Sequence, residues 1–111
     1  MDEVLVIDIG GTKTNVSLVT STNNDKEIKI LSSNMFLTDS YPQNTIERIN
    51  SIFSSSNGKI KNMSLSLPGI WNGNGVLQES YFLHDWLDYP FITNLSDKLG
   101  VKNFVWETDV I

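Results

Sequence analysis

The stretch that decides the fold is Val4–Thr14, which has the sequence VLVIDIGGTKT. Its first four residues are β-branched or leucine and predict a buried strand, while Gly10-Gly11 predicts that this strand ends in a tight turn. The following segment, Asn15–Thr20, alternates apolar and polar side chains and predicts a second strand. Strand, glycine turn and strand together predict a β-hairpin.

Downstream of the hairpin, the sequence predicts a third strand and then a helix. The strand covers Glu27–Phe36, and three of its residues are expected on one face: Ile28, Ile30 and Ser32. Pro42 suits the first turn of the helix, which is expected to end near Gly58, a residue suited to a left-handed cap. Its apolar residues follow at spacings of three and four: Ile46, Ile49, Ile52 and Phe53.

The second half of the chain alternates strands, turns and a helix. Its predicted elements are a strand at Met63–Leu67 ending in Pro68-Gly69, a turn at Asn72–Gly75, an extended Val76-Leu77, a helix at Phe91–Leu99 closed by Gly100, and a strand at Asn103–Glu107. The order of all elements is βββαβ(β)αβ. It predicts an α/β fold in which three antiparallel strands are extended by parallel strands, with flanking helices.

The composition excludes several classes of function. The chain has 111 residues, enough for one compact domain, and contains no cysteine, which excludes disulfides and thiolate sites. Its net charge of −5, without a Lys/Arg cluster, argues against a nucleic-acid partner. The apolar runs are too short for a membrane helix, and the acidic Asp2 and Glu3 do not resemble a secretory signal. We therefore expect a cytoplasmic location and no membrane partner.

The glycine turn and its neighbours form a candidate site for a phosphate and a metal ion. Gly10 and Gly11 permit positive φ and let an anion approach the main-chain N–H groups closely. Thr12 adds a hydroxyl, Lys13 adds a cation, and the carboxylate of Asp8 could hold a water-coordinated Mg²⁺. On these residues alone an ordinary hairpin turn remains the alternative, because Gly-Gly is a favourable hairpin dipeptide.

Several motifs, in order, resemble those of one family. The segment Asp8–Lys13 is similar to the first phosphate motif of sugar kinases in the actin/hexokinase superfamily, above all the ROK family (repressors, open reading frames, kinases). Further segments match that family in order and spacing: Leu65–Gly69, Asn72–Val76, Leu83 with Trp86, Leu99–Val101 and Glu107–Asp109. The resemblance therefore covers the whole chain.

The resemblance implies a fold, a reaction and a set of residues. It implies a ribonuclease H-like (actin-like ATPase) half-domain, with residues 1–111 forming the N-terminal domain of a glucokinase-type kinase whose second domain is absent. ATP and Mg²⁺ would be the cofactors and a hexose the substrate, and the fragment alone would be inactive. In this scheme Asp109 is the catalytic base. The residues facing the sugar would be Pro68, Gly69, Thr108 and Asp109. The residues serving the phosphates would be Asp8, Gly10, Gly11, Thr12 and Lys13, with Asp8 also serving the metal.

The sequence departs from the family in ways that leave alternatives open. Thr108 stands where the family has an Asn that binds sugar hydroxyls, and Trp71 follows the Pro-Gly as an unusual indole. The aromatic residues Trp71, Phe82 and Trp86 are expected in the core rather than stacked on a sugar, and His84 is expected to be structural or exposed. Alternatives are a non-catalytic sugar sensor like the ROK repressors, or a related N-acetylhexosamine kinase or ATPase. Exposed cleft surface in an isolated half could favour a homo-oligomer.

Overall fold

The strands and helices follow the predicted order. The structure is a computed structural model and describes residues 3–21, 27–54, 60–80 and 83–109. The strands are β1 Glu3–Ile9, β2 Lys13–Ser21, β3 Ile28–Leu37, β4 Asn62–Pro68, β5 Ile70–Trp71, β6 Leu77–Glu79 and β7 Asn103–Asp109. The helices are α1 Pro42–Ser54 and α2 Phe91–Leu99, with a single 3₁₀ turn at His84–Trp86.

Five of these strands form one mixed sheet, in the order β3-β2-β1-β4-β7. The pairs β1–β2 and β2–β3 are antiparallel, whereas β1–β4 and β4–β7 are parallel. The two short strands β5 and β6 form a separate antiparallel pair. The prediction of three antiparallel strands extended by parallel ones is therefore confirmed.

The sheet has two unlike faces. On the covered face, alternate residues of the central strands are buried, such as Ile7 and Leu65, and they share one apolar core with Ile49 of α1 and Leu95 of α2. On the open face, the residues between them are half-buried or exposed, as at Val6. The period-2 pattern of β1 and β4 and the 3.6-residue pattern of the helices thus define the same core.

The prediction for one face of β3 is wrong, because the strand contains a register shift. Leu18 pairs with Ser32, but its neighbour Val19 pairs with Ile30, so Leu31 is an extra residue in β3. A β-bulge of this kind reverses the alternation of side chains. Ile30 therefore shares the open face with Val19, whereas Ser32 lies on the covered face with Leu18.

Both helices form where the apolar spacing predicts them. At the start of α1, the Thr45 hydroxyl accepts a hydrogen bond from the Asp39 N–H (3.3 Å), and Asp39 Oδ1 accepts one from the Tyr41 N–H (2.8 Å). The predicted cap at Gly58 lies outside the described residues, whereas Gly100 closes α2 with φ of 72°. Within the described part of the chain, neither helix is long and apolar enough to cross a membrane.

Candidate functional site

The topology brings the predicted site residues to one edge of the sheet. Because β1, β4 and β7 are parallel, their carboxyl ends meet at the same edge, and the start of antiparallel β2 lies there as well. In the register, Pro68 pairs with Asp109 and Leu67 pairs with Thr108. The phosphate-loop candidates and the sugar-site candidates are thus neighbours, although Pro68 follows the loop by about 55 residues and Asp109 by about 100 residues along the chain.

The candidate site for a phosphate, Gly10–Lys13, is called the phosphate loop below and is a tight turn between β1 and β2. The Gly10 N–H donates to the Lys13 carbonyl at 2.8 Å, which closes the turn. Neither Gly10 nor Gly11 is among the described glycines with positive φ, so the loop does not use the left-handed region. Gly10 is favoured for a different reason, because a Cβ at this position would lie 3.0 Å from the Lys13 carbonyl oxygen, which is a tight contact.

Thr38, which follows β3, braces the phosphate loop. Its hydroxyl donates to the Gly10 carbonyl at 2.9 Å, and its N–H donates to the Thr12 carbonyl at 2.8 Å. The fully buried Thr14 hydroxyl lies 2.7 Å from the same Thr38 oxygen. The sequence did not reveal Thr38, and only the pairing of the end of β3 with the start of β2 could have done so.

The side chains that would meet a ligand point outward from this braced loop. Thr12, Lys13 and Asp8 are exposed. In the described ranges, none of the backbone–backbone hydrogen bonds of the turns and loops uses the N–H group of Gly11 or Thr12. The loop thus places two backbone N–H donors, a hydroxyl and an ammonium group close together, and this combination of groups can bind a phosphate.

Asp8 belongs to a polar row that crosses four strands on the open face. In the register, Asp8 lies between Asn15 of β2 and Ser66 of β4, and Ser66 is followed by Glu107 of β7. Neighbouring strands are about 4.8 Å apart, so the backbones at Asp8 and Glu107 are separated by roughly 10 Å. Within the described ranges no group of three His, Cys, Asp or Glu residues could hold a metal. A single carboxylate fits Mg²⁺, which is commonly held by one or two carboxylates together with substrate phosphates.

The turn at Pro68-Gly69, which the resemblance assigns to the sugar and which is called the sugar turn below, is held by tight packing. Gly69 has φ of 87°, and a Cβ there would lie 2.6 Å from the Glu79 carbonyl oxygen of β6. The indole N–H of Trp71 donates to the Pro68 carbonyl at 2.6 Å. The positive φ that glycine permits is therefore used at this turn, and Trp71 has a polar contact that the sequence did not reveal.

The remaining candidates occupy different environments. Thr108 is half-buried near the end of β7. For Asp109, at the end of the same strand, the structure describes only the backbone. Trp86 is fully buried, which confirms its expected place in the core, and Trp71 is half-buried against that core. His84 is exposed, as expected, whereas Phe82 lies outside the described residues.

Comparisons with known proteins identify the fold. No protein-family model and no curated protein matches the sequence. Among solved structures, a ROK hexokinase from Thermus thermophilus has a TM-score of 0.76 and 18% identity, over 96% of this chain and 35% of that chain. A ROK family glucokinase from Streptomyces griseus, in complex with glucose and AMPPNP, has a TM-score of 0.74 and 19% identity, over 96% of this chain and 33% of that chain.

A third structure widens the relationship beyond kinases. RuvC from Thermus thermophilus has a TM-score of 0.60 and 14% identity, over 96% of this chain and 63% of that chain. The predicted ribonuclease H-like class is therefore confirmed, and so is the resemblance to ROK sugar kinases at the level of the fold. The chain has the fold of ROK-family sugar kinases over about a third of their length.

Proposed function

We propose that residues 1–111 form the N-terminal, phosphate- and sugar-binding domain of a sugar kinase, which transfers the γ-phosphate of ATP to a sugar hydroxyl. The observation that carries this proposal is the meeting of the phosphate loop, the sugar turn and the end of β7 at one edge of the sheet. Phosphoryl transfer needs the phosphoryl donor and the acceptor hydroxyl to be held side by side, and this edge offers a candidate binding segment for each of them.

The phosphate loop binds and orients the phosphoryl donor. The N–H groups of Gly11 and Thr12 donate to phosphate oxygens, and the Lys13 ammonium offsets their negative charge. Asp8 would hold Mg²⁺, and the ion would supply charge neutralisation along the phosphates when bound. The brace by Thr38 fixes the loop before any ligand arrives, so that little reorganisation is needed on binding.

The ends of β4 and β7 bind the sugar. Asp109 accepts the proton of the attacking hydroxyl, and a carboxylate at hydrogen-bond distance also orients that hydroxyl. Thr108 contributes one hydroxyl, where an Asn would contribute both a carbonyl and an amide. We therefore expect the sugar to be held by fewer bonds at this position, which makes the pocket more tolerant of changes at one sugar hydroxyl.

The remaining contacts come from a second domain outside residues 1–111. The chain spans about a third of the length of the kinases that it resembles, and one of these was solved with glucose and AMPPNP, an analogue of ATP. A hexose and ATP are therefore the substrates to test first. On its own, residues 1–111 would have little kinase activity, since part of the transition-state contacts is missing.

The test is a phosphoryl-transfer assay of the protein as its gene encodes it, with ATP, Mg²⁺ and a panel of hexoses. Asp109→Asn should lower a sugar-dependent rate by about 100-fold or more, in the range of general-base effects. Asp88→Asn is the matched control. Asp88 is an exposed aspartate with φ of 62°, a conformation that Asn also tolerates, and it lies outside the site. Absence of transfer to every sugar, or an equal loss in both variants, would contradict the proposal.

A further inference from the structure

The sugar turn is tied to the core by one indole. The Trp71 N–H donates to the Pro68 carbonyl at 2.6 Å, and a Cβ added at the neighbouring Gly69 would lie 2.6 Å from the Glu79 carbonyl oxygen. An indole has one donor on a rigid ring, so this bond sets both a distance and a direction. Movement of Trp71 would therefore move the turn that the proposed function assigns to the sugar.

Trp71 is the first member of an aromatic brace, which we define as Trp71, Phe91 and Trp86. The rings of Trp71 and Phe91 meet edge to face, with centroids 6.1 Å apart and an interplanar angle of 64°. Phe91 is stacked on Trp86 with a centroid distance of 4.6 Å, and both of these residues are fully buried. Such close-packed rings transmit displacement, because the interior has no free volume to absorb it.

The far end of the aromatic brace contacts the residue next to Thr38, which in turn contacts the phosphate loop. The Trp86 indole N–H donates to the Asp39 carbonyl at 3.1 Å. Asp39 directly follows Thr38, whose hydroxyl and N–H hold the carbonyls of Gly10 and Thr12. An unbroken series of contacts thus connects the sugar turn to the phosphate loop through the core of the domain.

We propose that the aromatic brace sets the distance between the sugar turn and the phosphate loop, with Trp71 and Trp86 as positioning residues. The proposal rests on the proposed function for its catalytic meaning, since the two ends of the brace are the two halves of that site. Reacting groups must stay within about 3–3.5 Å of each other, and a displacement of about 1 Å can cost roughly 100-fold in rate. At each end of the brace an indole N–H donates to a backbone carbonyl, which fixes the direction of the ring relative to that segment of chain.

Amide hydrogen exchange tests the brace without any need for enzymatic activity. Trp71→Phe keeps an aromatic ring but removes the donor to Pro68. If the brace couples the two ends, the N–H groups of Thr38 and Gly10, which close the phosphate loop, should exchange about tenfold faster in this variant. Exchange of the β1 amides reports any global loss of stability, and the change in their exchange rate is used to correct the change measured at Thr38 and Gly10.

Trp106→Phe is the matched control, since Trp106 is half-buried on β7 and lies outside the brace. Trp86→Phe tests the other end of the brace, and Trp71→Phe keeps the test decisive if that buried variant does not fold. Faster loop exchange in Trp71→Phe than in Trp106→Phe, beyond the global change, is the expected result. Equal loop exchange in the two variants would overturn the proposal.

Kinetics separate the brace from the proposed function. In the phosphoryl-transfer assay, Trp71→Phe should lower kcat about tenfold and leave the KM for ATP unchanged, because alignment is lost rather than nucleotide binding. If Trp71→Phe is active with an unchanged kcat, the positioning role of the aromatic brace is contradicted, whereas the proposed kinase function is supported. If loop exchange is faster in Trp71→Phe but the protein transfers no phosphate to any sugar, the proposed kinase function is contradicted, whereas the coupling through the aromatic brace is supported.

Discussion

The phosphate loop and the sugar turn lie at the same edge of the sheet and both contain glycine, but they are held in different ways. In the phosphate loop, hydroxyl and amide groups of Thr38 hold the backbone, and Gly10 is favoured by its close approach to Lys13. In the sugar turn, Gly69 is needed both for its φ of 87° and for its contact with β6. The first is held by hydrogen bonds from Thr38, whereas the second combines a hydrogen bond from Trp71 with a steric need for glycine.

This difference shows that a glycine in a motif has no single meaning. The motif glycines of the phosphate loop suggest a need for positive φ, and the structure places that conformation at the other turn. A small backbone shift can accommodate a methyl group added at Gly10, whereas a methyl group added at Gly69, 2.6 Å from a backbone oxygen, forces a larger shift. The contrast therefore predicts a graded series of effects.

The largest effect is expected for Gly69→Ala. Alanine at positive φ costs about 1–2 kcal/mol, and overpacking against the Glu79 carbonyl adds about 1–3 kcal/mol. Urea unfolding should show the free energy of unfolding reduced by the sum. Gly73→Ala is the control, because a Cβ added at Gly73 would meet nothing within 4 Å and this glycine lacks positive φ. Equal losses in the two variants would contradict the steric account of this turn.

A smaller loss is expected for Gly10→Ala. The added Cβ would lie 3.0 Å from the Lys13 carbonyl oxygen, a contact that a small backbone shift can relieve, and no positive φ is involved. The free energy of unfolding should fall by about 1 kcal/mol, the low end of overpacking effects. The same urea titration measures it. A loss as large as that of Gly69→Ala would show that the phosphate loop is as rigid as the sugar turn.

Thr38→Val probes the polar brace of the phosphate loop. Valine keeps the shape but removes the hydroxyl that bonds the Gly10 carbonyl and contacts Thr14, so we expect a loss of about 1–2 kcal/mol in unfolding free energy. Thr93→Val, on the exposed side of α2, is the control and should be close to neutral. If both substitutions are neutral, hydrogen bonds do not hold this loop.

The smallest effect on stability, and the clearest effect on binding, is expected for Lys13→Ala. Lys13 is exposed, and surface substitutions usually change stability by less than about 0.5 kcal/mol. Calorimetric titration with ATP and Mg²⁺ should nevertheless show weaker binding, because the ammonium charge is lost. Lys29→Ala removes another exposed lysine, on β3 away from the loop, and should bind like the wild type. Equal affinity in both variants would show that Lys13 does not contribute to ATP binding.

The sequence predicted the elements well because their signals are local. The β-branched run at Val4–Ile7 and the apolar spacing of Phe91–Leu99 are properties of adjacent residues, and both elements are present in the structure. The two-residue strand β5 and the 3₁₀ turn at His84–Trp86 were not predicted. Segments this short contain too few residues to show a period.

The sequence could not show which distant residues hold the site. Thr38 meets Gly10 across 28 positions, and Trp86 meets Asp39 across 47 positions. The bulge in β3 likewise depends on its pairing with β2 and not on its own residues. The ligand roles of Asp8, Thr108 and Asp109 remain predictions. The resemblance assigns these roles, and the structure shows that the three residues lie near the same edge of the sheet.

The central claim is that one edge of the sheet binds phosphate and sugar side by side, and amide chemical shifts of the ¹⁵N-labelled protein test it most directly. ATP with Mg²⁺ at millimolar concentration should shift the amides of Gly10–Lys13. Glucose should shift those of Gly69 and Thr108, which lie at the neighbouring strand ends. Shifts confined to the opposite edge, near Asn62 and Asn103, or no shifts with either ligand, would contradict the account.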